Sequence, residues 1–135
     1  MLFASLIAGM VINRTGTIIV HGMGYVLTLD YNIPHGLANT LLLPYAIKYL
    51  SKIYREKLKI LKKIFGDDIW EITKDLNKKV GIPRNLEAAG VKEGDIEKLS
   101  QRGINDCVRS LKNIPMKLTR EDFYKIYKNA FYGRY

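Results

Sequence analysis

The sequence predicts an all-α fold, a multi-helix bundle, on three observations. Apolar residues recur every three or four positions, as in Tyr54, Leu58, Leu61 and Phe65 or Phe123, Ile126, Tyr127, Ala130 and Phe131, which is the period of a helix with one buried side. No segment alternates polar and apolar residues long enough to make a strand. Breakers fall between the periodic stretches, at Gly16, Pro34, Gly66, Gly81 and Pro83, where helices stop. With 135 residues, 47% of them hydrophobic, the chain reads as a single helical domain over 1–135 with enough apolar surface for a core. No repeat, low-complexity tract or linker divides it.

The elements follow in order. The first helix, from about Leu2 to Asn13, ends near Gly16. It is apolar but lacks the basic leader of a secretory signal, and it is too short to span a bilayer before Asn13 and Arg14, so it is expected to be a core helix. A second apolar helix runs from Val20 to Leu29 and breaks at Asp30-Tyr31-Asn32-Ile33-Pro34, because Pro34 disfavours helical geometry at Ile33 and Asn32 suits a turn. The third starts near Pro34, since proline is at home in a first helical turn. From Tyr45 to Phe65 the pattern stays helical, with Gly66 as its stop. Another helix from about Asp68 carries Ile69, Ile72, Leu76 and Val80 as one stripe. A loop through Pro83 leads to shorter helices bearing Ile96 and Leu99, then Val108 and Leu111. The last helix has Thr119 as cap, Asp122 three residues on, and Phe123, Ile126, Tyr127, Ala130 and Phe131 on its buried side.

The chemistry centres on Thr17 to Pro44. This stretch holds the only two histidines, His21 and His35, fourteen residues apart and each followed by a glycine. In one continuous helix they would stand about 21 Å apart along the axis, too far to share an ion. The break before Pro34 turns the chain back and puts His35 at a helix N-terminus, whose dipole favours the neutral, metal-binding ring. A histidine in an apolar helix is more often a hydrogen-bonded core residue, so the spacing alone leaves both readings open. Tyr25 lies one turn beyond His21 on the same face, where it lines a substrate pocket or simply packs. Asp30 offers a third metal ligand or, more simply, a turn residue. Gly22 and Gly24 fall inside a helix, which suits close packing better than a phosphate loop.

The run His21-Gly22-Met23-Gly24-Tyr25, with Tyr31-Asn32-Ile33-Pro34-His35-Gly36-Leu37-Ala38-Asn39 and Leu41-Leu42-Leu43-Pro44, closely resembles the C-terminal part of iron-containing alcohol dehydrogenases. The likeness extends from Ala4-Ser5-Leu6-Ile7-Ala8-Gly9-Met10 through Gly81-Ile82-Pro83 to Leu118-Thr119-Arg120-Glu121-Asp122. The resemblance implies that His21 and His35 are ligands of a divalent metal, Fe²⁺ or Zn²⁺. Many members of the family place another histidine where Tyr25 stands, so a relay role does not carry over. Members also hold an N-terminal nucleotide-binding domain with a glycine-rich phosphate loop, followed by an Asp and a His that complete the metal site. None of these is found in the 135 residues.

The resemblance therefore implies the C-terminal, metal-binding half of an NAD(P)-dependent enzyme for a small alcohol or aldehyde, with its nucleotide-binding domain absent. Metal binding is expected to be weak in this chain, which is expected to be inactive alone and to use NAD(P) only if the other half is supplied. The partner expected is a second copy or a separate chain supplying that half. No membrane contact is expected. The lone Cys107 excludes an intramolecular disulfide framework and fits a reducing cytoplasm. The net charge is +9, and Lys48, Lys52, Arg55, Lys57, Lys59, Lys62 and Lys63 face only Glu56 in their segment. Such a stripe can track a phosphate backbone, but it is more often a solvated helix face, and no nucleic-acid motif accompanies it. A non-catalytic helical interaction domain and a basic nucleic-acid-binding module are the two other classes.

Overall fold

A computed structural model describes residues 1–134, which form eight α-helices and a 3₁₀ turn, with no strand among the described residues. The helices are α1 (Leu2–Thr15), α2 (Ile19–Tyr31), α3 (His35–Leu50), α4 (Arg55–Phe65), α5 (Ile69–Lys79), α6 (Ile96–Asp106), α7 (Val108–Leu111) and α8 (Arg120–Tyr132), with the 3₁₀ turn at Glu93–Asp95 just before α6. The all-α reading holds.

The core lies among α2, α3, α6 and α8. Ile19, Met23, Val26 and Leu27 of α2 are fully buried with Leu42 and Ala46 of α3, Leu99 of α6, and Phe123, Ile126, Tyr127 and Ala130 of α8. Burying such side chains contributes roughly 1.5–3 kcal/mol each, the dominant favourable term here. The buried side of α8 is the one expected, and its capping box closes. Both the N–H and the hydroxyl of Thr119 donate to Asp122 Oδ2, at 2.6 and 2.8 Å. Gly22 and Gly24 serve close packing, as their place inside a helix suggested. A Cβ on Gly22 would stand 2.3 Å from Cys107 Sγ, and one on Gly24 would stand 1.9 Å from Asn39 Oδ1.

Four expectations are corrected. The stretch from Tyr45 to Phe65 is not one helix. Proline is commonly a start or stop signal, yet α3 runs through Pro44 to Leu50 and then turns, with Ser51 Oγ donating to Lys48 O at 2.7 Å and both Ile53 N and Tyr54 N donating to Leu50 O. The missing N–H of Pro44 frees the carbonyl of Thr40, and Asn77 Nδ2 of α5 donates to it at 2.9 Å. In α5, the stripe from Ile69 to Val80 is covered only in part, with Ile69 and Ile72 half-buried. Trp70 is the buried residue there, whereas Leu76 and Val80 are exposed. Val108 is likewise exposed, because α7 has only four residues and turns Ser110 inward.

The largest correction concerns α1. It has no buried residue, so it is not a core helix. It is apolar all round and has no face that the bundle can take in without the other taking water. Among the described residues no single helix is long and apolar enough to cross a membrane.

Candidate metal centre

The turn between α2 and α3 builds the site. Asn32 takes the left-handed conformation, φ 54° and ψ 28°, that ends α2, and Asn bears this better than most residues. Ile33 is buried, Pro34 precedes α3 with φ −51°, and Ala38 N donates to Pro34 O. His35 is therefore the first residue of α3, opposite His21 on the adjacent α2.

The two imidazoles converge. His35 Nε2 lies 3.2 Å from His21 Nδ1, with ring centroids 4.6 Å apart and planes at 87°. Tyr25 closes the group by stacking on His35 at 4.3 Å and meeting His21 edge-on at 4.8 Å. It is 47% exposed, so the three rings form a surface cluster open on the tyrosine side. Burial pushes the pKa of His21 below its ordinary value, and the neighbouring charge of a protonated His35 pushes it the same way. Both causes favour the neutral ring that a metal needs.

The donor set fits part of a metal site. Two nitrogens each about 2.0–2.1 Å from one tetrahedral Zn²⁺ would stand roughly 3.3–3.4 Å apart, close to the 3.2 Å of the observed pair. The pair would fill two corners, and no group of three or more His, Cys, Asp or Glu that could hold a metal occurs among the described residues. Asp30 is not a third ligand. It pairs with Arg102, and Lys98 Nζ stands 3.8 Å from its other oxygen. Nor is it a turn residue, since it lies in the last turn of α2 and ties that helix to α6, with a partner 72 residues away in sequence.

Sequence reasoning passed over Asn39 as a site residue. Its Nδ2 lies 3.0 Å from His35 Nε2, and the signal was its position four residues after His35, on the same helix face. The basic stripe resolves into local partners. Lys48 lies over Trp70, Lys52 over Tyr49 and Lys57 over Tyr54, while Lys59 pairs with Glu56 and Lys62 with Asp68.

Fold and site together define an all-helical bundle in which two histidines and a tyrosine converge at the α2–α3 turn. The chain belongs to the iron-containing alcohol dehydrogenase family, whose C-terminal family model matches residues 1–131. It is 31% identical to the lactaldehyde reductase of Escherichia coli strain K12 over 93% of this chain and 35% of that protein. It is 32% identical to the NADPH-dependent butanol dehydrogenase of Clostridium saccharobutylicum over 97% of this chain and 37% of that protein. The solved alcohol dehydrogenase from Oenococcus oeni superposes with a TM-score of 0.85 at 30% identity, covering 95% of this chain and 36% of that one. The chain thus spans about a third of the length of the relatives it matches.

Proposed function

We propose that these residues are the metal-binding, C-terminal part of an NAD(P)-dependent oxidoreductase acting on a small alcohol or aldehyde in the cytoplasm. The observation that carries this reading is the His21–His35 pair, 3.2 Å apart on the α2–α3 turn of a family-matched fold. His21 and His35 would each supply one imidazole nitrogen to Fe²⁺ or Zn²⁺, and Tyr25 would form a wall of the substrate pocket beside them. When bound, the metal would supply Lewis acidity toward the alcohol or aldehyde oxygen, and the NAD(P) chemistry would come from outside these residues. With two donors only, the 135-residue chain alone binds metal weakly and does not turn over. The free, buried Cys107 suits the reducing compartment.

Calorimetry with Zn²⁺ tests the metal assignment. The wild-type chain should bind, and affinity should fall as acid pH protonates the ring nitrogens. The His21→Ala, His35→Ala double variant should lose binding. Equal binding in that variant would place the metal elsewhere. Alcohol oxidation with NAD or NADP by the pure chain, lost in His21→Ala, would overturn the claim that it is inactive alone.

A further inference from the structure

Asn39 lies one helical turn after His35, and its Nδ2 stands 3.0 Å from His35 Nε2, the nitrogen that faces His21. The other end of the amide is wedged against α2. Asn39 Oδ1 is buried with no hydrogen-bond partner, and a Cβ on Gly24 would lie 1.9 Å from it, so the amide fits here because position 24 has no side chain. His35 Nε2 carries either a lone pair or a proton, never both. With Nδ2 toward the ring, the amide donates into that lone pair. With the amide turned over, which exchanges nitrogen and oxygen at the same two places, the oxygen accepts from an Nε2–H and favours the tautomer that carries it. Either orientation occupies the atom that would bind a metal.

We propose that Asn39 is a positioning residue that caps the metal-facing nitrogen of His35, so that a divalent cation must displace the amide to bind and the pair's affinity is held down. The proposal rests on reading His21 and His35 as a metal site. A lost second-layer support would weaken binding, whereas a removed competitor strengthens it, so the sign of the effect separates the two.

Zn²⁺ calorimetry on the full 135-residue chain compares wild type with Asn39→Ala and with Asn39→Leu, which keeps the branched shape without a donor or acceptor. Both variants should bind about fivefold tighter, the affinity equivalent of one ordinary hydrogen bond. A variant that merely folds less well would bind more weakly. Equal or weaker binding in both variants, with binding still lost in the double histidine variant, overturns the role of Asn39 alone. Binding that survives loss of both histidines, or no binding in any of these proteins, overturns the metal reading and the cap together. A second readout needs no metal. The ¹⁵N resonance of His35 Nε2 should move in Asn39→Leu, and an unchanged resonance overturns the cap directly.

Discussion

A methyl group on Gly22 would stand 2.3 Å from Cys107 Sγ and 3.2 Å from the Cys107 Cα. The sulfur is fully buried and donates to Ile19 O at 3.3 Å, so it has little room to retreat. Gly22→Ala should therefore destabilise the fold by about 1–3 kcal/mol, the usual cost of overpacking. Adding Cys107→Ala should restore only part of that, since the backbone contact stays, and urea unfolding of the two single variants and the double measures it. Burial also pushes the Cys107 thiol up to about 12, and the charge of Asp106 adds to the effect. Thiolate is then scarce at neutral pH, so a disulfide reagent should label Cys107 in denaturant and leave the native protein untouched. At this scale the sequence was legible where function depends on near neighbours. Spacing and a proline break gave the shared face of His21 and Tyr25 and the turn that brings His35 back, while the metal role came only from the family resemblance. Asp30 with Arg102, and Gly22 with Cys107, were not legible because each pairs residues that only the folded bundle brings together.

Helix boundaries were readable wherever local chemistry decides them. The α2–α3 turn followed from Asn32 and Pro34, and the start of α8 from Thr119 and Asp122. The run through Pro44 was not readable, because what tolerates it is Asn77, which takes up the freed Thr40 carbonyl from another helix. Asn77→Ala should leave that oxygen unpartnered in part-buried surroundings and cost about 1 kcal/mol in urea unfolding. The α8 cap adds a pH signature. Burial alone would raise the pKa of Asp122, but hydrogen bonds from the Tyr49 phenol and from the Thr119 N–H and hydroxyl outweigh it and depress the folded value. A depressed carboxylate stabilises the fold above its unfolded value of about 3.9 and loses that contribution as pH falls through the folded one. Asp122→Ala should cost about 1 kcal/mol at neutral pH. The gap from wild type should narrow below about pH 4 as the native carboxyl protonates. A gap that is constant down to pH 2 would mean that the carboxylate charge contributes nothing.

For the whole molecule the open matter is what covers α1. Its exposed side chains include Leu2 at 90%, Phe3 at 76%, Leu6 at 60% and Met10 at 63%, with Arg14 the only charged residue on the helix. Contiguous apolar surface larger than a few hundred Å² is rare on soluble monomers. The relatives are about three times as long as the part matched here. We propose that the rest of the family fold covers α1 in a complete enzyme, and that in its absence a second copy does. Two-fold pairing buries the same patch twice and needs no new surface. The net charge of +9 opposes that pairing at low salt, and screening relieves it, so association should strengthen from low to physiological ionic strength. The 135-residue chain should then run as a dimer or larger at micromolar concentration in light scattering. Leu6→Lys with Met10→Lys, two changes at exposed positions, should shift it toward monomer without changing the bundle's far-ultraviolet circular dichroism. A clean 15.5 kDa monomer in the unsubstituted chain, with no binding of a hydrophobic dye, would show instead that α1 folds back and that the bundle closes its own surface.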